Sequence, residues 1–238
     1  MFLKEGEVYF NNLFSQQDLG LRLENYPKIP LSYENYSIEG GVYKRKAPLI
    51  INEGTFNNKE VSFVFTKEDD EDILNFDEIY SWLFDVNNNK FMYGLEDRCL
   101  ICKKVVLGDF EQEFRTFGTI TIKFILSPFW EDVNPKKINV PQSGISFLYS
   151  GNVSSEPYIN VRGNGNINII LDNESLLIKN VSYGINVDCE NMKILDLNGN
   201  SKEFESEGGF FELNKGKHII SYKGNVTKFE FTYKNKWR

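Results

Sequence analysis

The residues able to do chemistry are few. Cys99 and Cys102 form a C-x-x-C pair, the spacing of a redox dithiol or of half a zinc site. They fall in a β-like run, Cys99–Leu107, where an odd offset sends them to opposite faces. No second C-x-x-C and no nearby histidine completes a metal set, so these thiols, like the isolated Cys189, read as buried structural cysteines. The chain has one histidine, His218, inside a strand-like segment and without a nucleophile or a metal ligand at useful spacing. The acidic run Thr66–Asp72 resembles a cation-binding string. Its acids are contiguous, however, and lack the spaced oxygens and the turn glycine of a calcium loop. They precede a helical pattern and read as N-terminal capping charge.

Three further candidates carry less. Lys44–Lys46 is a basic triplet that could touch phosphate or an acidic partner; a solvated loop tip is the simpler reading. Arg162–Ile167 has two glycines one residue apart but no third, and no helix follows, so it reads as a hairpin turn rather than a dinucleotide site. Two of the 34 carboxylates could still meet through folding and act as a glycosidase pair, but no motif marks them. The expectation is therefore a protein with no catalytic, cofactor-binding or metal-binding residues, and not an enzyme.

The elements behind these residues are mostly strands. Aromatics make up 15% of the 238 residues, with 20 Phe and 12 Tyr, which favours sheets over helices. Val8–Asn12 reads as a strand entering a turn, and Leu19–Leu23 as a second short strand. Pro27 and Pro30 mark an extended crossing segment. Ser37–Ala47 reads as a long loop. Lys59–Phe65 alternates with Val61, Phe63 and Phe65 on one face. Ile73, Phe76, Ile79, Tyr80 and Leu83 recur at helical spacing, predicting the main helix over roughly Asp70–Phe84. Arg98–Val106 and Glu113–Leu126 read as two long strands joined at Leu107–Glu111. From Ile138 onward strands are short and separated by Asn/Gly turns about every ten residues, the texture of an all-β sandwich. The predicted class is mainly β: an α+β N-terminal domain over residues 1–133, then an antiparallel β-sandwich over residues 134–238.

The net charge of −7 argues against a basic field for nucleic acid. No apolar run reaches the roughly 18–20 residues of a spanning helix, so no membrane insertion is expected. Met1–Phe10 lacks a signal peptide's apolar core, which predicts assembly in a cytoplasm.

Taken in order, the motifs resemble those of the distal tail proteins (Dit-like tail-tip hub proteins) of long-tailed, non-contractile bacteriophages. The resemblance is carried by Val8–Asn12, the Gly-rich segment Ser37–Tyr43, the helix ending Tyr80–Leu83 and the strand pair closing on Ser127–Pro128. In the second half it is carried by Glu156–Gly165, Val187–Glu190 and Phe210–Ile220. His218 stands where members usually carry Asn, and Gly40–Gly41 where many have a Gly-Arg-x-Gly run. The resemblance implies a ring-forming belt domain and a galectin-like sandwich. It further implies a hexameric ring in the virion tail tip, assembled in the bacterial host cytoplasm. Its partners would be the tail tube protein, a tail-associated lysin or tip protein, and receptor-binding proteins for host attachment. In some members the sandwich contacts host glycans. The alternative from the residues alone is a carbohydrate-binding module using Tyr149, Tyr158, Tyr183 or Trp237, the other reading of these rings being core packing.

Overall fold

The computed structural model describes residues 5–40, 47–68, 77–114 and 117–238. The chain forms two compact units, Met1–Val133 (with Arg238) and Asn134–Trp237. It is mainly β, in large antiparallel sheets with one α-helix among the described residues.

The first unit contains β1 (Val8–Phe10), β2 (Leu13–Phe14), β3 (Leu21–Leu23), β4 (Glu34–Glu39), β5 (Leu49–Phe56) and β6 (Lys59–Glu68). After α1 (Asp77–Phe84) come β7 (Lys90–Tyr93), β8 (Arg98–Phe114), β9 (Phe117–Leu126) and β10 (Trp130–Asp132). The main sheet runs β2-β1-β7-β8-β9-β6-β3, with β10 against the start of β8. Alternation on β6 works as the sequence implies: Val61, Phe63 and Phe65 are all buried. Lys59 and Lys67 lie on the same face and are buried too. Their stems flank the apolar row while Nζ donates to Pro30 O at 2.8 Å and to Leu19 O at 3.2 Å. Burial lowers the pKa of the Lys59 ammonium.

Helix α1 covers this sheet with Ile79, Trp82 and Leu83. Its Trp82 ring stands edge-on to Phe10, Phe65 and Phe124, and Trp82 Nε1 donates to Phe10 O at 2.7 Å. The helical spacing had assigned Tyr80 to the buried face. Tyr80 is exposed, because Trp82 takes that face instead. Residues 70–76, where the helix was expected to begin, lie outside the described residues. The helix ends against Asn11, whose Nδ2 donates to Trp82 O at 2.9 Å and Asp85 O at 3.0 Å. Asn11 Oδ1 accepts from Asn87 N at 2.8 Å. A helix end leaves carbonyls without internal partners, and this side chain, held at φ 47° in the two-residue turn between β1 and β2, supplies donors to two of them.

Two expectations for this unit need correction. Ser37–Ala47 is not a loop from its start, because Ser37–Glu39 belong to β4, which pairs with β5. The junction Leu107–Glu111 is not a turn either. Strand β8 continues to Phe114, pairing past a register shift between Leu107 and Phe110, and its last pair is Phe114 with Phe117. Gly108 tolerates that shift: a Cβ there would meet Thr121 O at 3.0 Å.

The second unit contains β11 (Lys136–Asn139), β12 (Ile145–Tyr149), β13 (Tyr158–Leu171), β14 (Glu174–Val181), β15 (Ile185–Asp188), β16 (Lys193–Asp196), β17 (Ser206–Gly208), β18 (Gly216–Tyr233) and β19 (Lys236–Trp237). An eight-stranded sheet is built on β13 paired with β18. Both strands run through segments that the sequence marks as turns, Arg162–Ile167 and Tyr222–Asn225. The register shifts between Arg162 and Gly163 and again between Asn164 and Asn168. On one side of this irregularity lie β11, β15 and β16, and on the other β12, β14 and β17. Inward residues from both halves, including Ile159, Val161, Ile169, Ile220 and Phe231, share one buried cluster. The two layers are thus two halves of one sheet that folds over at its own bend.

None of the three cysteines forms a disulfide, and all three are buried. Cys102 joins the first core, and Cys189 the second. Burial pushes both thiols up to about 11. The thiolate is the nucleophile, so at pH 8 only about one Cys102 or Cys189 thiol in a thousand is in reactive form. Labelling the native protein with a disulfide reagent should therefore leave these two unmodified until denaturant is added; rapid labelling of either without unfolding would contradict the packing. Replacing Asn11 with Ala should lower stability by about 1–2 kcal/mol in urea unfolding, since it strips partners from the helix end. Asp at position 11, which keeps the acceptor and loses the donors, should recover only part of that loss.

Candidate assembly surfaces

His218 sits between Asp172 Oδ2, 2.7 Å from Nδ1, and the backbone oxygen of Asn214, 2.6 Å from Nε2. Both ring nitrogens are occupied by acceptors, and neither is left to activate a hydroxyl or thiol. Of the acidic run, Thr66–Glu68 belong to β6 rather than to a cap, and residues 69–72 lie outside the described residues, as does Lys44–Lys46. No group of three or more His, Cys, Asp or Glu suited to a metal ion occurs among the described residues. A shallow depression of about 440 Å³ beside α1 is lined by Asn11, Asp18, Glu78, Trp82 and Asp85. Asp18 Oδ2 already accepts from Phe14 N at 2.7 Å.

What the described residues do present is exposed apolar surface. Strands β4 and β5 form a two-stranded ribbon of their own. Directly opposed residues in an antiparallel pair share a face. The pairs Tyr36–Asn52 and Ile38–Ile50 therefore put Tyr36, Ile38 and Ile50 on one side. Their exposures are 60%, 60% and 66%. Polar pairs hold the ribbon's register: Asn52 Nδ2 donates to Glu34 Oε2 at 2.8 Å, and Asn35 Nδ2 to Thr55 Oγ1 at 3.0 Å. A two-stranded ribbon in water is marginal by itself, and it gains stability when an apolar face is covered. The sequence signal was the alternation of Tyr36 and Ile38 with Asn35, Ser37 and Glu39; Leu49, Ile50 and Ile51 are consecutive apolar residues and give no such alternation.

In the second unit the rings proposed for sugar contact separate into two groups. Tyr149 is fully buried; its Oη donates to Val153 O at 2.5 Å and accepts from Lys236 N at 3.0 Å. It is a core residue and cannot serve as a binding platform. Burial, as the largest influence, raises the pKa of its phenol. Trp237 is half-buried. Tyr158 and Tyr183 remain exposed, Tyr183 at 77%. No described helix is long and apolar enough to cross a membrane.

No protein-family model matches the chain. No curated protein matches it either. Among solved structures, the chain is similar to the Dit protein (gp 19.1) of SPP1, described as a paradigm of the hub adsorption apparatus in phages that infect Gram-positive bacteria. The similarity has a TM-score of 0.61 at 11% identity and covers 98% of this chain and 99% of that one. Across both units, then, this chain shares the fold of that phage hub protein.

Proposed function

We propose that this chain is a distal tail protein, a structural and non-enzymatic component of a phage virion located at the tail tip. The observation that carries the reading is the shared fold across nearly the whole of both chains, two units included, rather than across one common β-module. In this reading residues 1–133 form a hexameric ring that meets the tail tube protein and the tail-associated lysin or tip protein. Residues 134–238 form a galectin-like platform for receptor-binding proteins and host attachment. The exposed face of the β4–β5 ribbon supports the ring: it is apolar surface that a neighbouring copy would cover, and closed symmetry lets one such patch serve every protomer. The edge strands β2 and β3 offer main-chain groups for the same purpose.

Purified protein should run in light scattering as a particle near six times 27.7 kDa. The double substitution Ile38→Glu with Ile50→Glu should reduce it to monomer while circular dichroism stays β-rich. A wild-type chain that stays monomeric at high concentration, with no ring in any tail preparation, would count against the assignment. An unaltered ring in the double variant would remove the ribbon from the interface. A second reading, direct glycan recognition by the second unit, has the exposed Tyr183 in its favour. It requires glycan-array binding that disappears in Tyr183→Ala.

A further inference from the structure

His218, the one histidine of the chain, lies where β18 leaves the turn after Asn214. It is 8% exposed. Its Nδ1 is 2.7 Å from Asp172 Oδ2, and its Nε2 is 2.6 Å from Asn214 O. A backbone carbonyl can only accept a hydrogen bond, and so can an ionised carboxylate. A neutral imidazole carries one N–H and can satisfy only one of them. Both contacts are made at once when both nitrogens are protonated.

The surroundings fit a cation. Asp172 is the charged side chain that pairs with the ring, and it is fixed in place from the other side. Its Oδ1 accepts from Ile219 N at 2.7 Å, and its own N–H donates to Ile219 O at 2.8 Å. On β12, the residue opposite is Phe147, whose ring lies 5.6 Å from the imidazole and tilted by 31°, a position from which an aromatic face favours a cation. Lys215 and Lys217 precede His218 along its own segment, and Glu174 opens β14 just after Asp172. Asp172 sits at φ 52° in the two-residue connection between β13 and β14. The ring therefore ties that connection to the turn entering β18.

We propose that His218 is a proton-dependent latch: as an imidazolium it bonds the β13–β14 connection to the turn entering β18, and loss of its second proton opens one of the two bonds. The sign follows from the donors. Two acceptors need two donors, so the second bond is present only while both ring nitrogens carry protons. The latch does not depend on the tail-protein reading.

A single histidine makes the test direct. The full chain, labelled with ¹⁵N in histidine and at backbone amides, is titrated from about pH 5 to about pH 9, a range that brackets the ordinary imidazole transition. Both ring nitrogens should be of the protonated type at the acid end. The amide resonances of Asp172 and Ile219 should then move with the same midpoint as the ring. In parallel, the unfolding equilibrium of the wild type should become less favourable to the folded state with rising pH by about tenfold relative to His218→Gln, the scale of one charge-assisted hydrogen bond. Cys102 and Cys189, both at about 11, titrate outside this range. The proposal is overturned if a ring nitrogen is unprotonated at the acid end, or if the Asp172 and Ile219 amides ignore the ring's titration. A pH dependence that is identical in wild type and His218→Gln overturns it as well. The resonance measurements use the wild-type chain, so they decide the matter even where the variant does not fold.

Discussion

The second unit depends on how closely two backbones approach at the bend of β13 and β18. A Cβ at Gly163 would lie 2.3 Å from Asn225 O, and one at Gly224 would lie 2.5 Å from Asn166 O. No side chain fits at either distance. Each strand thus places a glycine against the other's carbonyl, and the pair stays in contact through the fold-over instead of splaying apart. Every other strand of the eight joins through this pair or through a strand that pairs with it. A sandwich of two separate sheets needs loops to cross between layers. Here the layers are joined covalently by two strands that belong to both, and the core closes because they bend together.

That geometry explains where sequence reading worked and where it failed. Ile167, Ile169 and Leu171 alternate along β13, and all three are buried. The same reading took Arg162–Ile167 and Tyr222–Asn225 for turns. Gly-Asn pairs earn that reading between strands, because they adopt the positive φ of tight hairpins. Within strands the same residues permit a bulge and a close approach. Which of the two occurs is decided by what lies across the ladder, and the partner segments are some sixty residues apart in the chain. Local pattern does not carry that information. Where no such distant partner intervenes, as at Asp172–Asn173 and Leu197–Asn200, the turns fall where the Asn and Gly residues mark them.

The first unit shows the same limit at a different contact. Val8–Asn12 and Tyr80–Leu83 were legible as a strand entering a turn and as a helix ending. Their meeting was not. Phe10 O and Asn11 touch Trp82 and the last carbonyls of α1 over a separation of more than seventy residues. Helical periodicity could not choose between Tyr80 and Trp82 for the buried face. The indole won because its ring fills the space among Phe10, Phe65 and Phe124 and its N–H finds an acceptor there. Tyr80 is left to stack loosely on Phe84 outside.

The candidate surface was harder to read for a physical reason. Burial leaves a pattern that sequence can reveal, since a core strand alternates apolar with polar. A ribbon whose apolar face points outward alternates in the same way, and nothing in its own residues says that the main sheet leaves it uncovered. Tyr36, Ile38 and Ile50 look like core residues until the topology sets β4 and β5 apart from the main sheet. The distinction matters for function. Among the described residues, Cys102 and Cys189 are buried in the cores and His218 is engaged on both sides, while the ribbon presents apolar surface. An apolar face held in register by Glu34–Asn52 and Asn35–Thr55 is preorganised, so covering it costs little further ordering of the backbone. A ribbon of this kind would suit the proposed ring, because its ordering is completed within one chain before another covers it.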